Sequence, residues 1–170
     1  MHLYRIEERQ TVPADLPNAW DFFSNPANLA RITPPDMGFE ITVPPPERIY
    51  SGLIISYRVR PLLGIPVEWV TEITHIDAPH YFVDVQRGGP YAFWHHEHQF
   101  RAVPGGTEVH DRVSYALPFD PLSRPLHDHL IHPRLRAIFE YRRRALDRIF
   151  GPPPPARTTN LDRLTNGAGK

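Results

Sequence analysis

Phe93-Trp94-His95-His96-Glu97-His98-Gln99-Phe100-Arg101-Ala102-Val103-Pro104-Gly105-Gly106-Thr107-Glu108-Val109-His110-Asp111-Arg112-Val113-Ser114-Tyr115-Ala116-Leu117 is the stretch whose reading decides the fold. Two runs of period-two side chains flank a Pro-Gly-Gly-Thr break, and paired glycines supply the positive φ angles of a tight turn. With Gly105-Gly106 as the turn, Phe100 faces Asp111, His98 faces Val113, His96 faces Tyr115 and Trp94 faces Leu117. Even residues of the first run then share a face with odd residues of the second. That face carries Trp94, His96, His98, Phe100, Val109, Asp111, Val113, Tyr115 and Leu117. The other carries Phe93, His95, Glu97, Gln99, Arg101, Glu108, His110, Arg112 and Ser114. The second set is the wetter one, so the first is expected to point inward.

Upstream of this hairpin the period-two pattern recurs at 39–44, 53–60, 66–76 and 80–87, with Gly, Pro or Asp in the gaps. A first strand is read over 2–12. Between it and the second strand lie two short helical segments. Asp15 caps the first, which presents Ala19, Trp20 and Phe23; Asn25 caps the second, which carries Leu29 and Ile32 and ends at Pro34-Pro35. Downstream, Ile131, Leu135, Ile138, Phe139, Leu146 and Ile149 recur at helical spacing within a stretch from Leu122 to Phe150. Pro133 should kink or restart that helix, because proline cannot donate to the ladder. Residues 151–170, rich in Pro, Thr, Asn and Gly, read as a disordered tail, leaving 1–150 as one domain. The expected architecture is α+β, a helix-grip fold. A curved antiparallel sheet of about seven strands wraps a long C-terminal helix, with two short helices between strands 1 and 2. One helix cannot fill the concave side of such a sheet, so a cavity is expected between them.

Composition narrows the functions. The 170 residues carry 19 Lys plus Arg and 19 Asp plus Glu, so no basic surplus points to nucleic acid. There is no cysteine, which excludes disulfides, thiolate metal sites and cysteine nucleophiles. No apolar run is long enough to insert stably in a membrane, and Met1-His2-Leu3-Tyr4-Arg5 shows no signal-peptide core. A cytoplasmic protein is the expectation. Ser114 and Ser123 lie in no nucleophile signature, and no phosphate loop or dinucleotide fingerprint is present.

Several segments together resemble bacterial members of the START/Bet v 1-like (SRPBCC) superfamily, in the group of polyketide cyclase/dehydrase and lipid-transport-like proteins. They are Ala19-Trp20-Asp21-Phe22-Phe23, Asn28-Leu29-Ala30-Arg31-Ile32-Thr33-Pro34-Pro35, Trp69 with Thr71-Glu72-Ile73, Pro79-His80-Tyr81-Phe82-Val83-Asp84, Gly89-Pro90-Tyr91, and the block of Trp94, His96, His98, Phe100, Asp111, Val113, Tyr115 and Pro118. The resemblance spans residues 1 to about 150. It implies an apolar pocket under the C-terminal helix and says little about chemistry, because relatives include carriers, receptors and cyclases.

The ligand-binding candidates are Trp69, Asp84, Gln86, Trp94, His96, His98, Phe100, Asp111, Val113 and Tyr115. Asp84 and Gln86 share one face of their strand, and Trp69 and Thr71 share one of theirs; the pattern leaves open which of these faces looks inward. His96, His98 and Asp111 admit three readings. One is a satisfied polar cluster that orders the sheet or contacts a ligand, the usual fate of buried polar groups. Another is a general acid or base oriented by Asp111, the only catalytic candidates being these three residues. The weakest is a zinc site, since a histidine pair two apart arises easily in a chain with ten histidines. No metal and no cofactor are expected. His127, Asp128, His129 and His132 are read as an exposed helix start, and Arg142-Arg143-Arg144 as a solvated face.

The expected function is binding of a hydrophobic small molecule, whether lipid, isoprenoid or polyketide-like, with the short helices gating its entrance. The alternatives are a cyclase/dehydrase-type enzyme using His96 or His98 as acid/base, and a non-catalytic interaction module using Arg134, Arg136 and Arg142 to Arg144 on the helix. Which protein such a module would meet is left open by the sequence.

Overall fold

A computed structural model describes residues 1–119 and 122–152. The tail expected over 151–170 therefore lies outside the described residues from 153 onward. Strand β1 (Tyr4–Val12) leads into α1 (Leu16–Phe23) and two 3-10 helices, Pro26–Ile32 and Pro35–Met37. Then follow β2 (Glu40–Ile41), β3 (Ile54–Leu62), β4 (Ile65–Asp77), β5 (Tyr81–Gly88), β6 (Phe93–Val103) and β7 (Gly106–Ala116). The chain ends in a continuous helical stretch: α2 (Arg124–Leu126), a π turn (His127–Ile131) and α3 (His132–Phe150). All seven strands form one antiparallel sheet in the order β1-β7-β6-β5-β4-β3-β2.

Local chemistry explains the boundaries. Asp15 Oδ1 accepts from Asn18 N at 2.9 Å, and Asn25 Oδ1 accepts from Ala27 N at 3.0 Å, so both expected caps are made. The strand expected at 39–44 shrinks to Glu40–Ile41, because Pro44, Pro45 and Pro46 have no N–H for a ladder. Pro133 stands in the first turn of α3, where its missing N–H is tolerated. The turn before it widens, with His132 N–H reaching His127 O five residues back.

The late hairpin forms with a corrected register. Its turn is Pro104-Gly105, so Val103 pairs with Gly106, Phe100 with Val109, His98 with Asp111 and His96 with Val113. Proline sets the first corner and Gly105, at φ 91°, takes the second. Gly106 serves another purpose: a Cβ there would lie 2.0 Å from Val12 O, so only glycine lets β1 close against β7. Moving the partner by two residues preserves the alternation, and the inward face keeps its members. Asp111, however, now stands directly opposite His98.

Two aromatic-rich clusters fill the interior. One joins Trp20 and Phe23 to Phe82 and Phe100, with Trp20 edge-on to both Phe82 and Phe100. The other groups Trp69, Trp94, Val113 and Tyr115 with Leu135 and Phe139 of α3. Between sheet and helix a space remains.

Candidate functional site

The space is a cavity of about 420 Å³. Its wall comes from β3 to β6, the 3-10 helix after α1, and α3: Leu29, Ile32, Ile55, Val59, Trp69, Ile73, Trp94, Leu135, Ile138 and Phe139 give it an apolar surface. The alternation of each strand puts these residues on the concave face. The volume lies in the range typical of small-molecule pockets, about 300–1,000 Å³.

One part of the wall is polar. His98, on β6, reaches Asp84 Oδ2 on β5 with Nε2 at 2.7 Å. Its Nδ1 lies 2.8 Å from Asp111 Oδ1 on β7, but off the hydrogen-bond direction, so this is a charge contact rather than an aligned bond. His96 is bonded to Asp111 Oδ1 through Nε2 at 3.1 Å, and its Nδ1 lies 3.4 Å from Asp84 Oδ2. The two imidazoles overlap, with ring centroids 3.8 Å apart, and His98 also stacks on Phe82. From α3, Arg142 brings a guanidinium nitrogen to 3.3 Å from Asp111 Oδ1. His96, His98, Asp111 and Arg142 are each less than a tenth exposed.

The electrostatics sort these groups. Burial pulls Asp111 up, but Arg142 and the two imidazoles outweigh it and hold its carboxyl well below the usual range. Asp84 is likewise lowered, with burial overcome by His96, His98 and Arg142. For His98, burial is overcome by the two carboxylates and its pKa is raised. For His96, burial and the charge of His98 prevail and its pKa is lowered. His98 stands between two carboxylates with a ring nitrogen against each, and Arg142 lies beside one of them, so two cationic groups face two carboxylates while His96 is pushed toward its neutral form.

Asp84, His96 and His98 place one donor atom each within 4.8 Å of one another, a different trio from the His96, His98 and Asp111 set weighed from the sequence as its weakest reading. Donors about 2.0–2.1 Å from a tetrahedral ion stand roughly 3.3 Å apart. The 2.7 Å from His98 to Asp84 is a hydrogen bond instead. The cluster also balances its own charge.

Of the ten sequence candidates, Trp69, Asp84, Trp94, His96 and His98 line the cavity. The open question about β4 and β5 resolves in favour of both faces: Trp69 with Thr71, and Asp84 with Phe82, look inward. The other five stand behind the wall. Gln86 holds the loop before β6, donating to Tyr91 O at 2.8 Å and so placing Tyr91 at the cavity. Phe100 packs among Trp20, Phe23 and Phe82. Val113 is fully buried between strands, Asp111 anchors the histidines from the side away from the cavity, and Tyr115 is bonded to His127 Nε2 at 2.9 Å.

Two readings of the helix are corrected. His127 is buried rather than exposed: it stacks on Tyr4, bonds Tyr115, and takes Asp128 Oδ1 at 2.7 Å on its outer nitrogen. Arg142 is buried rather than solvated. A signal existed, because Leu135, Phe139, Arg142 and Leu146 fall at i, i+4, i+7 and i+11 on one stripe. Arg143 reaches Glu8 Oε2 and Arg9 O across the sheet edge, and Arg136, Arg144 and Arg148 stand on the exposed side of α3.

A scan of protein-family models finds no match to this chain, and no curated protein matches it in sequence. Solved structures do match in shape. A protein of Rhodobacter sphaeroides superposes with TM-score 0.63 at 21% identity, over 85% of this chain and 91% of its own. Ara h 8.0201 superposes with TM-score 0.55 at 16% identity, over 85% and 98%. What these structures share with the chain is the fold, a helix-grip arrangement of a curved seven-stranded antiparallel sheet and a long C-terminal helix. An AHSA1-like protein of Aeromonas hydrophila shares this helix-grip arrangement, with TM-score 0.58 at 16% identity over 86% and 94%. In the helix-grip fold the sheet and terminal helix enclose the space where the polar cluster sits. Among the described residues no helix is long and apolar enough to cross a membrane.

Proposed function

We propose that this protein binds a hydrophobic small molecule, of lipid, isoprenoid or polyketide-like character, in the cavity between sheet and α3. One observation carries the reading: a cavity of about 420 Å³ with a largely apolar wall into which a charge-balanced polar cluster is set. Apolar surface that no side chain fills is stabilised when an apolar ligand replaces water there. Trp69, Trp94 and the α3 residues Leu135 and Phe139 provide contact area, and the polar cluster orients the guest.

The test is a fluorescence titration of the intact chain with N-phenyl-1-naphthylamine, an uncharged probe that brightens in apolar surroundings. Saturable one-to-one binding is expected, and Ile138→Trp, which fills the space from α3, should abolish it. Binding that persists unchanged in Ile138→Trp, or no saturable binding to the parent chain, overturns the proposal.

A second reading, acid/base chemistry of the cyclase/dehydrase kind, has a specific observation in its favour. His96 is held neutral on the cavity wall beside Asp84, the protonation state a general base requires. Its signature is turnover that His96→Gln removes while probe binding survives.

A further inference from the structure

The proton inventory of the polar cluster identifies the ligand's polar group, on the reading that the cavity holds an apolar molecule. His98 as imidazolium directs one N–H at Asp84 and the other toward Asp111. Arg142 adds a third positive contact, again to Asp111. His96, neutral, has one proton for two nitrogens. Its aligned bond is from Nε2 to Asp111 Oδ1, so the proton belongs there and Nδ1 is left with a bare lone pair. That lone pair lies 3.4 Å from Asp84 Oδ2, an acceptor facing an acceptor. Among the described residues the side-chain hydrogen bond of His96 is the one at Nε2, and Nδ1 has only the 3.4 Å contact with Asp84.

The unpaired edge faces the cavity. Asp84 and His96 both line it, whereas Asp111, on the Nε2 side, does not. The cluster is one hydrogen short on its open side; on its inner side His98 and Arg142 meet Asp111 through charge contacts, with His98 Nδ1 and Arg142 Nε making no aligned hydrogen bond. On the same wall Tyr57 and Thr71 share a hydroxyl–hydroxyl bond of 3.0 Å, which leaves one hydroxyl hydrogen uncommitted. The wall therefore offers an acceptor edge and a hydroxyl donor, as a group that both donates and accepts would need.

We propose that the ligand carries one uncharged protic group, an alcohol, phenol or enol, whose hydrogen is accepted at the edge formed by His96 Nδ1 and Asp84 Oδ2. A carboxylate is the wrong partner. It has no hydrogen to give, and it would add a negative charge to a cluster already neutral, in a site shielded from water. A ketone or ether lacks the hydrogen as well, and leaves the two acceptors facing each other.

The test uses four probes of one ring system: 2-naphthol, naphthalene, 2-methoxynaphthalene and 2-naphthoate, titrated calorimetrically into the intact chain at neutral pH. The expected result is that 2-naphthol binds about tenfold more tightly than naphthalene and 2-methoxynaphthalene, with 2-naphthoate weakest. In Asp84→Asn an amide nitrogen at the Oδ2 position can donate one N–H to His96 Nδ1 and the other to a His98 Nε2 that has given up its proton with the loss of the carboxylate charge, so the naphthol preference should fall to within twofold. A folded Asp84→Asn chain, judged by circular dichroism, that keeps the tenfold preference overturns the assignment. Equal binding of naphthol, naphthalene and the methyl ether overturns it too, and leaves the apolar cavity reading intact. Tighter binding of 2-naphthoate overturns it in favour of anion recognition. Absence of binding by all four probes defeats the cavity reading and this inference together.

Discussion

Replacing Arg142 by methionine keeps most of the aliphatic stem that crosses the interior and removes the charge that faces Asp111. At 3.3 Å, with an effective dielectric constant of about 20, the attraction is about 5 kcal/mol before desolvation is counted. His96 and His98 still contact the same carboxylate, so the net loss at pH 7 is expected near 3 kcal/mol, in the range for breaking a buried pair from one side. Because the cost is a buried carboxylate left without its guanidinium, Asp111→Asn added to Arg142→Met should restore about 2 kcal/mol of what the single losses predict together. The pH dependence has a definite sign. Asp111 is lowered in the folded chain, so its stabilisation is present above the ordinary value of 3.8 and is lost as pH falls through the folded value. The gap between parent and Arg142→Met should therefore be full at neutrality and close only in strong acid. Urea unfolding of both single variants and the double variant, at neutral pH and stepwise into acid, measures all of this. A cost below about 1 kcal/mol at pH 7, or strictly additive losses, would refute the buried pairing.

Three further outcomes follow from the same geometry. His98 is raised above its ordinary 6.5 by two carboxylates, so its contribution is complete below that value and disappears as pH rises through the folded value; stability of the parent chain should decline on going alkaline, and His98→Gln should flatten that slope in urea midpoints, whereas a rising slope contradicts a charged His98. His127→Phe removes the partner of the buried Tyr115 hydroxyl and should cost about 1–3 kcal/mol, with Tyr115→Phe in the same chain recovering part of it; additive losses in thermal unfolding would show that the two side chains do not act as a pair. Gly106→Ala places a Cβ 2.0 Å from Val12 O and should cost more than about 2 kcal/mol, with faster hydrogen exchange along β1, while Gly105→Ala, at the open tip of the turn, leaves β1 protected; equal protection of β1 in both variants counts against the close approach.

Long-range pairing explains why some residues were legible early and others were not. The face of the hairpin bearing Trp94, His96 and His98 followed from alternation alone, since alternation survives any shift by two. Its register did not, because Pro104-Gly105 and Gly105-Gly106 are both reasonable turns, and the choice fell on the close approach of Val12 to Gly106. That choice set Asp111 opposite His98 and its carboxylate between two imidazoles.

Alternating and helical periods are local properties of a chain. From them the strand–helix order, the inward face of β6 and β7, and the need for a space beneath the terminal helix could all be read, as burial of apolar surface follows such periods wherever they occur. What needed the folded chain was which distant charges neutralise one another. Asp84, Asp111 and Arg142 come from three separate elements and meet His96 and His98 only when sheet curvature and the seating of α3 bring them within about 3.5 Å. Coulomb energy depends on separation in space, which no spacing along the sequence encodes, and so the protonation state of the site was decided by tertiary structure alone.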